Sequence, residues 1–252
     1  MDPDQLHPLQ VNPQTQEPFL RLRKHENIIL TPMRWQDAPH MVPIFNDVRV
    51  CNWMASPPFP FTLEDAEDWL AKRKPPVDNF LQHLKDAQGS ESLVTAKGAP
   101  ICSIREVNED GTDLFIGVIS FVRLFYGELM NTKSVDFERA EQNVAENSRL
   151  DVGDPRIIWS IGDFLAPSHH RQGIMTDAVD TLLHEWAIPR MGVRRIIVGA
   201  FTGNDGSVKV FEKNGFKHLR TIAEFKVIKG KMRGLHVLEW TSAESLEDHS
   251  LP

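Results

Sequence analysis

The run His169-His170-Arg171-Gln172-Gly173-Ile174-Met175 joins two segments of different pattern. Upstream, Ile157 to Ala166 is an apolar stretch closed by Pro167. Downstream, Ile174, Ala178, Leu182 and Trp186 recur every four residues, with Val179 and Leu183 beside them, as far as Pro189. The first pattern predicts a strand, and the second predicts the buried stripe of a helix that ends at Pro189. A junction of strand, short Gly-containing loop and helix presents unpaired backbone N–H groups and the positive end of a helix dipole. It therefore suits an anion such as a pyrophosphate. The alternative is an ordinary strand-to-helix connection.

Composition narrows the classes. A chain of 252 residues, 41% hydrophobic, has enough apolar material for one large domain, or one domain with insertions. Its net charge of -7 argues against a nucleic-acid backbone as the main partner. Cys51 and Cys102 form no spaced pattern, so free thiols in a reducing compartment are expected and no metal site is predicted. The first residues carry no basic-plus-apolar signal and no apolar run reaches membrane-spanning length. The expectation is a cytoplasmic protein, with the nucleus as the other compartment, either monomeric or homodimeric and without a membrane partner.

In chain order, residues 1–18 are rich in Pro, Gln and Asp and read as a flexible leader before a single domain over 19–240. Ile28 to Thr31 reads as a strand. Asp37 to Asn46 reads as a helix with Met41, Val42, Ile44 and Phe45 inward, kinked or shortened by Pro43. Val48 to Met54 reads as a short helix, and Pro57 to Phe61 as an extended aromatic loop. Thr62 and Asp65 form a capping box that opens a helix with Ala66, Trp69 and Leu70 on its apolar face. Residues 74–92 are polar and carry no pattern. Val94–Ala96, Ile101–Arg105 and Leu114–Phe121 predict antiparallel strands, with Lys97-Gly98 and Asp110-Gly111 as turns. Residues 124–155 form a long charged insertion, read as a solvated or disordered stretch rather than a lid, in which Val135, Phe137, Ala140 and Val144 fit one helix face. Arg194–Phe201 predicts a strand, Asn204–Asn214 a short helix, and Phe216–Val227 and Met232–Trp240 two further strands. Residues 241–252 make an acidic tail. The order of elements predicts an α+β fold around one sheet.

At this point the residues carry a resemblance. Ile29-Leu30-Thr31-Pro32 followed by Asp37-Ala38 forms one matching stretch, and Phe59-Pro60-Phe61-Thr62-Leu63-Glu64-Asp65-Ala66 fits a "pYPyTleDA" pattern. Ile161 to Pro167 runs into Gln172 to Ala178, and Asn204-Asp205-Gly206-Ser207 with Glu212-Lys213-Asn214-Gly215-Phe216 fits "NxxS…EKxGF". Together these resemble the GNAT superfamily of acetyl-coenzyme A-dependent N-acetyltransferases, in the branch of RimJ and RimL and their fungal relatives, over roughly residues 27–240. The resemblance implies a central mixed, mostly antiparallel sheet flanked by helices, with a splay between two parallel strands that takes acetyl-coenzyme A. It implies an acyltransferase acting on an amine, either a peptide N-terminus or a small molecule.

The resemblance also implies roles. His170, Arg171, Gln172, Gly173, Ile174 and Met175 cradle the pyrophosphate; the backbone near Phe164 and Leu165 faces the acetyl oxygen. Asn204 holds the pantetheine arm and Ser207 lies near the thiol, with a helix cap and a surface hydroxyl as the plainer alternatives. The chain departs from the family motif at His170 and Met175. Phe211 stands in the region where many members carry a tyrosine acid, Asp163 where the branch commonly has Tyr, and Gly234 where a polar residue is common. The only tyrosine is Tyr126, so a tyrosine acid beside Phe211 is excluded. For general base, Asp163 on the central strand is the first candidate and Glu106 the second; a desolvated carboxylate is suited to accept a proton. His169 is read as shaping the loop. The missing tyrosine and the altered motif leave a non-catalytic acyl-coenzyme A-binding protein as the alternative. A nucleotide-binding enzyme is disfavoured, because neither Gly-x-x-x-x-Gly-Lys-Ser/Thr nor Gly-x-Gly-x-x-Gly occurs.

Overall fold

The computed structural model describes residues 4–131 and 134–242. Its elements, in chain order, are β1 (Gln10–Val11), β2 (Pro18–Arg21), β3 (Ile28–Thr31), α1 (Ala38–Asn46), α2 (Val48–Cys51), α3 (Leu63–Asp86), β4 (Ser103–Val107), β5 (Asp113–Arg123), α4 (Ala140–Arg149), β6 (Ile158–Leu165), α5 (Ile174–Leu182), α6 (Ile188–Met191), β7 (Arg195–Phe201), α7 (Asp205–Lys213), β8 (Lys217–Ile228) and β9 (Lys231–Thr241). The strands form a mixed, mostly antiparallel sheet with one parallel pair, β6 and β7. The residues divide into two compact units, one of Met1–Val94, Ala99–Ser120 and Asp163–Trp186, the other of Thr95–Gly98, Phe121–Gly162 and Ala187–Pro252. Strands β5 and β6 each have residues in both units.

In the first unit the strands follow the order β1-β2-β3-β4-β5, each antiparallel to its neighbour, and then the C-terminal end of β6. Ala166 N–H donates to the Ile116 carbonyl at 2.6 Å there. Helix α3 begins where Thr62 Oγ1 accepts from Asp65 N–H at 3.2 Å and Asp65 returns the bond to Thr62 N–H at 2.8 Å, the capping box expected from the sequence. It then runs through Pro75 and Pro76 to Asp86, burying Phe80, Leu81 and Leu84. The two prolines interrupt the propensity signal, while the apolar spacing continues across them and a Lys74–Asp78 pair spans them at 2.7 Å. Helix α1 also continues past Pro43, ending at Asn46, whose side chain bonds the Phe61 N–H and carbonyl at 2.9 and 2.7 Å.

Residues 4–18 correct the expected flexible leader. Leu6 and Leu9 are buried, and the buried Gln5 side chain bonds the Ser92 carbonyl and Val94 N–H at 2.9 Å each. A leader that buries two leucines and satisfies a buried amide is part of the core.

Beneath β3 and β4 lies a buried ionic cluster. Arg105 Nη2 meets Asp37 Oδ1 at 2.7 Å with both side chains no more than 3% exposed. Arg105 Nε donates to Thr31 Oγ1 at 2.7 Å, and Ser103 Oγ and Arg34 N–H donate to Asp37 Oδ2 at 3.1 and 2.9 Å. Asp113 accepts from both Arg34 and Arg105, and Arg34 also pairs with Glu17. The Glu17 and Asp113 carboxylates hold the Arg34 guanidinium well above its ordinary pKa.

In the second unit the order is β6-β7-β9-β8. The parallel ladder pairs Ile158 with Arg195 and Trp159 with Ile196, whereas β7 pairs with β9 along its whole length. The described residues of the 124–155 insertion are folded, correcting the reading of a solvated or disordered stretch. Buried Asn147 of α4 donates to the Ile158 carbonyl at 2.9 Å and accepts from Ile158 N–H at 2.9 Å, imitating a strand neighbour. Residues 132–133 of the insertion, and the acidic tail from 243 onward, lie outside the described residues. Val94–Ala96 is not a strand; Ala96 N–H donates instead to the Arg190 carbonyl at 2.7 Å. The helical path after α5 does not stop at Pro189. A π-helical turn, Leu183–Ala187, leads into α6, where Pro189 falls in the first turn and no backbone N–H is needed.

The buried cluster generates a stability test. Removing one partner strands a desolvated charge, so Asp37→Ala is expected to cost about 3–5 kcal/mol in urea unfolding, more than Asp154→Ala, where the partner left behind, Arg156, is exposed.

Candidate functional site

The junction picked out by the sequence lies wholly in the first unit. After β6 the chain makes a 3-10 turn, Pro167–His169, then Arg171 at φ 62° and Gly173 at φ 83°, the N-cap of α5. Two left-handed residues in three reverse the backbone within the loop, and Gly at the second avoids the Cβ strain. A Cβ at Gly173 would meet only His25, at 3.7 Å, an ordinary contact. The backbone angle, rather than crowding, is what calls for glycine there.

The loop's side chains are mostly engaged with the protein. His169 Nε2 lies 3.0 Å from Glu106 Oε2, and its Nδ1 2.8 Å from Ser168 Oγ. His170 Nε2 donates to the Leu165 carbonyl at 2.9 Å, and Gln172 Nε2 to the Ser168 carbonyl at 2.9 Å. Ile174 and Met175 are buried core residues. Arg171 has no hydrogen-bond or ion-pair partner among the described residues, and neither do the backbone N–H groups of Arg171, Gln172, Gly173, Ile174 and Met175. Five successive donors at a helix N-terminus, with one free guanidinium beside them, make an anion-binding arrangement. Of the loop residues expected to contact a cofactor, His170 and Gln172 have side chains committed elsewhere, so only their backbone remains for that task.

Phe164 is buried, its ring 4.4 Å from that of Phe45 and 6.3 Å from that of Phe115; Leu165 is buried beside it. Asp163 differs from its neighbours. It is partly exposed, has no partner among the described residues, and desolvation alone pushes its carboxyl up to about 6. Glu106, the second candidate, is held between His169 and Asn27 Nδ2, the latter at 3.1 Å.

In the second unit, Asn204 is the N-cap of α7 and its Oδ1 accepts from Ser207 N–H at 3.4 Å. Ser207 is half-buried and its hydroxyl has no partner among the described residues. Phe211 is a core residue, its ring 5.1 Å from Phe216. Gly234 is explained by space, because a Cβ there would lie 2.7 Å from the carbonyls of Ile222 and Ala223, where β8 bulges against β9. Tyr126 lies against Phe125 and Phe225, at 4.4 and 5.8 Å. Cys51 and Cys102 are free and buried. Among the described residues no cluster of three acidic, His or Cys side chains suits a metal ion, and no helix is long and apolar enough to cross a membrane.

The sequence missed His25. It bonds Asp177 and the Gln172 carbonyl from the turn between β2 and β3. The available signal was Asp177 itself, an acidic residue adjoining Ala178 of the apolar stripe of α5, which demands a donor from elsewhere.

Two measurements follow. Gly173→Ala is expected to cost about 1–2 kcal/mol of unfolding free energy through left-handed strain; no change would show that the loop relaxes. Asp163 is raised from its ordinary 3.8 to about 6, so ionising it costs stability as pH rises through that window, and the whole cost stands above it. Asp163→Asn should therefore raise Tm by roughly 2–4 °C at about pH 8 and have little effect near pH 4.

Comparison with known proteins identifies the family and the fold. The Bacillus subtilis protein named Probable N-acetyltransferase YjcK is 42% identical over 67 residues, which are 27% of this chain and 36% of that protein. The matched segment therefore spans about a third of that relative's length. The RimL ribosomal L7/L12 alpha-N-protein acetyltransferase has a similar fold, with a TM-score of 0.56 at 15% identity over 93% of this chain and 99% of that one. The microcin C7 self-immunity acetyltransferase MccE, solved with acetyl-CoA and AMP, gives a TM-score of 0.53 at 15% identity over 86% and 93% of the two chains. Residues 27–217 match the family described as Acetyltransferase (GNAT) domain, and the chain belongs to that family.

Proposed function

We propose that this GNAT member is an acetyl-CoA-dependent N-acetyltransferase, moving the acetyl group from the thioester to a primary amine, a peptide N-terminus or a small molecule, by direct attack in a ternary complex. The observation that supports it is the row of five unpartnered N–H groups from Arg171 to Met175, which suits the coenzyme's pyrophosphate. Acetyl-CoA is bound by the MccE acetyltransferase of the same fold.

In this reading Arg171 and the loop amides neutralise the phosphates, and Asn204 and Ser207 serve the pantetheine arm and the thiol. The backbone near Phe164 and Leu165 faces the acetyl oxygen. Most alkyl amines are protonated at neutral pH and must lose a proton before they attack. Asp163 takes that proton, directly or through water. The neutral amine nitrogen bonds to the acetyl carbon, the carbon–sulfur bond breaks, and the thiolate leaves with the electron pair and takes up the second proton that the nitrogen sheds on becoming an amide. A carboxylate raised to about 6 is ionised at neutral pH yet more basic than an ordinary one, which suits a general base.

A second reading, a non-catalytic acyl-coenzyme A-binding protein, draws on one observation. Phe211, in the region where many relatives carry a tyrosine acid, is an apolar core residue. Release of free thiol separates the two readings.

The deciding experiment screens amines, amino acids and peptide N-termini for release of coenzyme A. With a productive acceptor, Asp163→Asn is expected to retain acetyl-CoA affinity and lose about 10²-fold in kcat/KM, with partial recovery at higher pH. The wild-type rate should fall as pH drops through about 6. Equal rates for both proteins between about pH 6 and 9 would remove Asp163 from the mechanism. No thiol release with any acceptor, despite coenzyme binding, would favour the second reading.

A further inference from the structure

His25 occupies the turn between β2 and β3, yet both its ring nitrogens point at the loop and at α5. Nδ1 lies 2.7 Å from Asp177 Oδ2, and Nε2 lies 3.0 Å from the Gln172 carbonyl oxygen. A carboxylate and a peptide carbonyl only accept hydrogen bonds. The ring therefore has a hydrogen-bonding partner at each nitrogen, and the two contacts together fix its position. Asp177 is 1% exposed and also takes Lys24 N–H at 2.9 Å and the Thr181 hydroxyl at 3.3 Å, while Thr181 takes Arg23 N–H at 3.2 Å. The turn is therefore laced to α5 at several points, and the ring between them is fixed.

The fixed ring sets the direction of the next peptide group. In a planar trans peptide the C=O and the following N–H point in opposite directions. Drawing the Gln172 carbonyl toward His25 turns the Gly173 N–H away from it, out of the protein's own hydrogen bonding, in line with that N–H having no acceptor among the described residues. The same ring lies beside Gly173, within contact distance of a Cβ built there.

We propose that His25 is the positioning residue for the phosphate end of the coenzyme: by holding the Gln172 carbonyl it aims the Gly173 amide outward. The proposal rests on the reading of residues 170–175 as the pyrophosphate loop. It assigns a ligand-binding task to the β2–β3 turn, which lies about 150 residues before the loop in sequence.

The test compares acetyl-CoA with acetyl-pantetheine, the same thioester without the nucleotide and its phosphates, in His25→Gln. Glutamine keeps a donor and cannot make both contacts of the ring. The expected result is a rise of roughly ten- to hundredfold in KM and Kd for acetyl-CoA, with kcat held and the acetyl-pantetheine constants unmoved. Unchanged acetyl-CoA affinity, or equal losses for both thioesters, would overturn the proposal. Nitrogen-15 spectra of the wild-type protein provide a second measurement that needs no variant. A Gly173 amide shift is expected on adding coenzyme A and not on adding pantetheine; an unmoved Gly173 amide overturns the proposal even if His25→Gln does not fold. Wild-type protein that binds no acetyl-CoA would overturn the loop reading itself, whereas coenzyme binding indifferent to His25 overturns only this inference.

Discussion

A carboxylate removed from water must collect hydrogen-bond donors, and the first unit is arranged around that demand at Asp177. The side chain stands on the buried side of α5, where no solvent reaches it. Its donors come from the turn between β2 and β3: Lys24 through its amide and His25 through its ring. That requirement brings a segment from the start of the domain against a helix from its later part. The His25 ring then has one nitrogen left, which holds the Gln172 carbonyl and fixes the loop before Gly173. The satisfaction of one buried charge is passed through an imidazole to the backbone that opens the helix.

The Arg105–Asp37 pair follows the same rule with a different result. Here each charge meets its opposite directly, and Thr31, Ser103 and the Arg34 amide take up the remaining hydrogen-bonding capacity. Charges this deep add little net stability over an apolar pair, but losing either one is costly. Their effect is on register: β3, β4 and the start of α1 are held to one another by groups that fit in one arrangement only. Arg34 extends the cluster to Glu17, so the segment before β2 is tied in as well.

The sequence showed the fold where pattern and spacing were regular. The stripe of α5, the capping box of Thr62 and Asp65, and the apolar run of β6 all reflect local periodicity, and each appears where expected. It failed where a local rule was overridden by packing. Pro75 and Pro76 hid the second half of α3, whose leucines still face the core, and Pro189 was read as a stop although the π-helical turn carries the chain past it. The leader was read by composition, and two leucines with one buried glutamine outweighed it. At the candidate site the loop and Asp163 were legible because they lie on one continuous stretch. His25 was not, because its role comes from a contact made across the fold, and a lone histidine in a polar turn gives no periodic signal.

Three acidic side chains of the first unit can now be set against one another. Asp37 meets a guanidinium, and Asp177 meets an imidazole, an amide and a hydroxyl. Both are fully satisfied, and their bonds hold strands or helices in place. Asp163 has no such partners among the described residues, and desolvation raises its affinity for a proton without any bond that the proton would break. A group that shuttles a proton must be stable in both states, and stability in both states is what the absence of fixed partners provides. The same reasoning ranks Glu106 below it, since the pair with His169 ties its ionised form to the shape of the loop. Of these carboxylates, Asp163 alone can change its charge without rearranging the fold around it.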